Sequence, residues 1–140
     1  MTDEVPTIAQ VVIDTTDARG LAEFYRELFG LKYRSGDERP PGGEDDPRGA
    51  DWLVLRNPHG GVQLAFQQVD ELPEATWPEG PHPQMLHLDS TVPDAAALER
   101  QRERAVRLGA RVLLDRADDP DEQLYVFADP AGHPFCVFVG

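Results

Sequence analysis

Seven side chains in this 140-residue chain stand out for the chemistry they can do: Gln10, Trp52, Gln63, Gln67, Trp77, His87 and Cys136. His87 lies in an apolar run, Met85 to Thr91. Its imidazole changes charge near neutral pH, which suits a general acid–base or a hydrogen-bond donor to a ligand. The competing reading is a half-buried histidine satisfied by its neighbours. Cys136 is the single cysteine. A nucleophilic thiol needs a group that lowers its pKa, and nothing near it in sequence offers one, so it reads as a buried, inert thiol. Gln10, Gln63 and Gln67 carry donors and acceptors suited to orienting a neutral polar ligand. Trp52 and Trp77 are candidate stacking walls, although Trp77, in a proline-rich stretch, is as well suited to covering the edge of the core. His59 and His133 fall in turns and His82 in a linker, and all three read as surface residues. No Gly-x-x-x-x-Gly-Lys phosphate loop is present, and neither Ser35 nor Ser90 has a Gly-x-Ser-x-Gly context.

The elements that must position these residues occur twice. The last seventeen residues, 124–140, hold two β-branched and aromatic runs around Asp129-Pro130-Ala131-Gly132, a tight reversal. Proline presets φ for a turn and glycine accepts positive φ, so a hairpin is expected. Trp52–Arg56 and Val62–Phe66 flank Asn57-Pro58-His59-Gly60-Gly61 in the same way. Upstream, Gln10 precedes Asp17 by seven residues, as His87 precedes Asp94. Each carboxylate suits a helix N-terminus, and the helices end at Gly30 and Gly109. The repeating unit is strand, helix, strand, hairpin, over about 8–69 and again over about 84–139.

Taken in order, residues 1–6 are expected to fray. A strand over Thr7–Asp14 leads to a helix over about Ala18–Phe29, with Leu21, Phe24, Tyr25 and Leu28 on its inner stripe. A short strand, Leu31–Arg34, precedes 35–50, whose Gly, Pro, Asp and Glu content predicts a solvated, mobile loop. Residues 70–83 contain four prolines and link the halves. A fifth strand over Gln84–Thr91 leads to a second helix, about Ala95–Leu108, with Leu98, Ala105 and Leu108 inward and a charged outer face. A strand at Arg111–Leu114 and an acidic loop, 116–123, come before the final hairpin.

Bulk properties narrow the function. The length suits one domain with its own core. The 13 basic and 26 acidic side chains give a net charge of −13, which argues against nucleic acid or an anionic membrane as partner. No apolar run approaches the roughly 20 residues of a membrane span. The acidic start, Met-Thr-Asp-Glu, is unlike a signal peptide, and one cysteine excludes an intrachain disulfide and suits a reducing cytoplasm.

The tandem βαβββ unit, with Ala-Glu-Phe-Tyr-Arg-Glu-Leu-Phe-Gly-Leu at 22–31 and Asp-Pro-Ala-Gly-His-Pro-Phe-Cys-Val-Phe at 129–138, resembles the vicinal oxygen chelate superfamily. That group includes glyoxalase I, extradiol dioxygenases and bleomycin-resistance proteins, and the small glyoxalase-like proteins are the most similar subgroup. The resemblance implies an α+β fold in which two βαβββ modules form a curled mixed sheet around a cleft, commonly as a homodimer. It implies a metal held by the first and last strands of each module, with the 35–50 connection near the cleft mouth. The corresponding positions here are Gln10, Gln63, His87 and Cys136. Counting from Gly60 would select Leu64, but face alternation along the strand favours Gln63. This set holds one imidazole, two neutral amides and one thiol, and Cys136 stands where metal-dependent members carry glutamate. Asp89 shares the His87 face but lies one pleat repeat away, a poor replacement. Amides bind Zn²⁺ or Ni²⁺ weakly, and a thiol helps only as thiolate. The expectation is therefore no metal and no cofactor. The function expected is small-molecule binding of the sequestration or resistance type, with no assigned catalytic residue. The alternative is a metal-dependent lyase, isomerase or dioxygenase of the glyoxalase type.

Overall fold

The computed structural model describes residues 6–82 and 86–140. The chain forms two compact units, Met1–Glu71 and Leu72–Gly140. The first contains β1 (Gln10–Thr15), α1 (Ala18–Phe29), β2 (Lys32–Tyr33), β3 (Trp52–Arg56) and β4 (Gln63–Gln68). The second contains β5 (Leu88–Val92), α2 (Ala95–Leu108), β6 (Arg111–Arg116), β7 (Leu124–Ala128) and β8 (Pro134–Val139). Each is a four-stranded sheet, ordered β1-β4-β3-β2 and β5-β8-β7-β6, so the expected α+β repeat of two βαβββ modules is present, with neither sheet closed.

In both modules the first strand pairs in parallel with the last, and the remaining pairs are antiparallel. A parallel pair needs a long crossover, which the helix and hairpin supply. The helices start as their sequences dictate. The Asp17 carboxylate accepts from the Gly20 amide at 3.0 Å, and the Asp94 carboxylate from the Ala97 amide at 2.8 Å. Helix α1 ends at Gly30 with φ of 63°, a left-handed cap that favours glycine.

The core of the first module is the inner stripe of α1 laid on one sheet face. Leu21, Phe24, Tyr25 and Leu28 are buried, as are Ile13, Leu53, Leu55, Leu64 and Phe66. Tyr25 stacks on Phe66 with ring centroids 5.9 Å apart. In the second module Leu98 and Ala105 are buried as expected, whereas Leu108 is only half-buried. The Tyr125 hydroxyl on β7 donates to Glu99 on α2. The Asp129–Gly132 reversal is tied by its own carboxylate, which accepts from the Ala131 and His133 amides at 2.8 and 3.0 Å.

Element boundaries differ modestly from the sequence reading. Pairing of β1 begins at Gln10 rather than Thr7, and β2 is cut to two residues. The described part of the fifth strand begins at Leu88, and residues 83–85 of the expected strand and linker lie outside the described residues, as do 1–5 of the expected frayed start. Strand β6 runs two residues further, to Arg116, with a register shift between Val112 and Leu114.

The 35–50 connection departs most from expectation. Its composition predicts a solvated, mobile loop, yet Asp37 within it is completely buried. The Asp37 carboxylate accepts from the Val54 amide at 2.9 Å and pairs with Arg48 at 2.8 Å and Arg34 at 3.0 Å. Its carbonyl accepts from Arg19 on α1 at 2.7 Å, and the same guanidinium pairs with Asp46 at 2.7 Å. The loop is held by charge-assisted bonds instead of apolar burial, which hydropathy does not register. Removing the carboxylate would leave a buried amide and two guanidiniums without their acceptor. Asp37→Ala is expected to lower stability by about 3 kcal/mol in urea denaturation, against under about 0.5 kcal/mol for the exposed Glu44→Ala.

Candidate functional site

Strand register sorts the sequence-selected residues within each module. In the first, Gln10 is the direct partner of Gln63, and Gln67 is the partner of both Asp14 and Trp52. All four candidates, Gln10, Gln63, Gln67 and Trp52, therefore share the sheet face opposite α1. Leu64, the position counted from Gly60, is buried on the α1 face. Gln10, Gln63 and Trp52 are half-buried and Gln67 is exposed. Its neighbour Gln68 has a structural task that the sequence reading missed: it accepts from the Ala18 amide at 2.8 Å and donates to the Thr16 carbonyl at 2.6 Å, fixing the entry to α1.

In the second module His87, Asp89 and Cys136 meet. Asp89 is the direct partner of Cys136, and His87 Nε2 lies 3.0 Å from Asp89 Oδ1. The ligand atoms of all three lie within 4.8 Å of one another. This corrects the view of Asp89 as too distant. His87 precedes the first paired residue of β5, and its ring reaches along the strand to the residue two positions on. The local set therefore includes a carboxylate. Trp77 stacks on His87 with centroids 4.8 Å apart and planes 17° apart, so the linker tryptophan reaches this group. It also packs on Leu124, Val126 and Cys136, which form an apolar floor.

These residues line a cavity of about 330 Å³, with Arg116 and Glu122 also in its wall. That volume lies at the small end of ligand pockets. The Cys136 thiol is pushed up to about 12, first by burial and then by the negative charge of Asp89. It is a protonated thiol at neutral pH, in agreement with the inert reading. His59 and His82 are exposed as expected, whereas His133 is half-buried.

The two modules pair their strands alike, but the residues selected from the sequence do not fall at equivalent positions. Counted back from the caps Asp17 and Asp94, Val12 corresponds to Asp89. Val12 pairs with Ala65 as Asp89 pairs with Cys136, so Ala65, not Gln63, is the counterpart of Cys136. The first turn carries one more glycine than the second, which shifts the count by one. Pairing therefore joins Gln10 to Gln63 in one module and Asp89 to Cys136 in the other.

The family model for the glyoxalase-like domain matches residues 10–138. The chain belongs to this family, within the vicinal oxygen chelate superfamily. A comparison with curated proteins finds no match. Among solved structures, it is similar to a glyoxalase/bleomycin resistance protein/dioxygenase family enzyme from Burkholderia phytofirmans, with a TM-score of 0.67, 16% identity and coverage of 96% of this chain and 98% of that one. It is also similar to a glyoxalase-related enzyme from Fulvimarina pelagi, with a TM-score of 0.65, 22% identity and coverage of 97% and 89%. A third likeness is to the fosfomycin resistance protein FosX from Listeria monocytogenes, in a mutant form complexed with Mn(II) and 1S,2S-dihydroxypropylphosphonic acid (TM-score 0.66, 15% identity, coverage 100% and 94%).

Whether this donor set fits a metal can be judged from its chemistry. One imidazole and one carboxylate face each other, and the third donor is a thiol that its surroundings keep protonated. A cation would have to break the first contact and expel the thiol proton. The three donor types are themselves ones that Zn²⁺ takes. The thiol gives a direct readout. Its folded pKa stands above the ordinary value of about 9, so the fold gains from the protonated form below that pH and loses this contribution as pH rises toward 12. Reaction of Cys136 with Ellman's reagent at pH 8 is expected to be at least about tenfold slower in the native protein than in urea.

Proposed function

We propose that this protein binds a small molecule in the second-module cavity, without a resident catalytic metal, in the manner of a sequestering or resistance protein. The observation that carries this is the stacking of Trp77 on His87 at 4.8 Å over an apolar floor. This arrangement offers a flat ligand an aromatic wall, while the His87–Asp89 pair offers polar contacts at one end. His87 is the residue to donate or accept a proton at the ligand, with Asp89 orienting its ring through the 3.0 Å contact. Gln10, Trp52, Gln63 and Gln67 supply polar and stacking contacts on the first module's open face. The whole chain acts as one domain in a reducing cytoplasm, and a homodimer is the assembly supported by the habit of the family.

A second reading, a metal-dependent lyase, isomerase or dioxygenase, draws on one observation: the approach of His87, Asp89 and Cys136 to within 4.8 Å. Metal content separates the two. Protein purified without chelator is expected to hold substoichiometric Zn, Ni, Mn and Fe by elemental mass spectrometry, with no thermal shift on adding divalent ions. Near-stoichiometric metal that falls in His87→Ala would favour the second reading. For the first, thermal-shift screening of aromatic metabolites and antibiotics is expected to yield a ligand whose affinity drops about tenfold in Trp77→Ala, the size of one lost stacking contact.

A further inference from the structure

The open face of the first module carries a row of polar side chains that runs across all four strands. Gln10 pairs with Gln63, and Lys32 pairs with Arg56. Leu55 pairs with Leu64, so Arg56 stands opposite Gln63 one step further along the same antiparallel ladder. The order across the sheet is therefore Gln10, Gln63, Arg56, Lys32. Three of these four, Lys32, Arg56 and Gln63, line a hollow of about 660 Å³ together with Ser35 and Asn57.

The cationic end sets two like charges side by side. Like charges placed directly opposite on a sheet repel and destabilise it. Here the repelling pair includes Lys32, the only lysine in a chain of net charge −13. Acidic partners are plentiful elsewhere: Arg19, Arg26, Arg34, Arg48, Arg102 and Arg111 each hold a carboxylate. Among the described residues, neither Lys32 nor Arg56 enters an ion pair. One carboxylate, Glu38, lines the same hollow, and its Oε1 accepts from the Gly36 amide at 2.8 Å.

We infer that the Gln10–Gln63–Arg56–Lys32 row is an oxyanion subsite that takes the carboxylate or phosphate group of a small ligand. The two cations supply charge, and the Gln63 amide supplies a directed donor beside them. Charge at the Arg56–Lys32 end of the row is opposite in sign to the molecule as a whole, which favours an anionic ligand there. The inference rests on the first module alone and does not depend on ligand or metal binding in the second.

The test is titration of the full chain, ¹⁵N-labelled, with inorganic phosphate and separately with malonate, at constant ionic strength set by chloride. Saturable shifts of the Lys32, Arg56 and Gln63 amides are expected with at least one of them. Saturation by phosphate alone assigns a phosphate-bearing ligand, and saturation by malonate alone a carboxylate. The double variant Lys32→Gln with Arg56→Gln should weaken binding at least tenfold. The double variant Arg100→Gln with Arg107→Gln, on the outer face of α2, makes the same change in net charge and should leave affinity within twofold. Linear, non-saturating shifts with both anions would overturn the proposal. So would an equal loss in the two double variants, which would reduce the effect to net charge. All four substitutions are at exposed positions, and unchanged thermal midpoints check that the variants fold.

Discussion

Everything at the candidate site depends on the parallel pairing of the first and last strands of each module. That pairing sets which side chains become neighbours, because register in a ladder is fixed once a single pair is fixed. It places Gln10 beside Gln63 in one module and Asp89 beside Cys136 in the other. The antiparallel hairpin then extends each row across the sheet. The helix packs on one face and takes the apolar residues with it, so the opposite face is left for residues with other chemistry. In the first module Leu64 and Phe66 face the helix, while Gln63 and Gln67 alternate with them on the other side, around the buried Ala65.

Electrostatics, not burial of apolar area, organises the longest loop of the first module. Arg19 is itself buried in α1 and is held by Asp46 and the Asp37 carbonyl. It also lies over the Tyr33 ring, 5.0 Å from its centroid. Tyr33 in turn donates to Glu23 at 2.6 Å, and burial together with that carboxylate pushes its hydroxyl up to about 12. Helix, short strand and loop are therefore joined through a chain of charged groups and one neutral phenol. The same loop contributes Ser35 and Glu38 to the wall of the first-module hollow, so its fixed course defines one side of that space.

Much of this is legible in the sequence, and the failures have physical causes. Periodicity and end signals locate both helices, because Asp17, Asp94, Gly30 and Gly109 act locally. The turn motifs locate both hairpins for the same reason. Asp37 is not legible as an anchor, since its partners lie at Arg34, Arg48 and Val54 and only folding brings them together. Asp89 is underrated because spacing along a strand says nothing about how far an imidazole can lean. The pairing of Lys32 with Arg56 escapes a linear reading because two separate strands supply it. The correspondence of Ala65 with Cys136 is obscured by a single additional glycine in the first turn.

The parallel pairing also bears on how the chain is made. Gln10 must wait for Gln63, its partner 53 positions later. At ribosomal rates of about 5–20 residues per second, the first strand emerges about 3 to 10 s before its neighbour exists. Over that interval Ile13 has no sheet to enter, and α1 has nothing on which to lay its inner stripe. The second module repeats the delay, with Asp89 ahead of Cys136. Each half of the nascent chain therefore spends its synthesis as an unfinished unit, completed only when its last strand arrives.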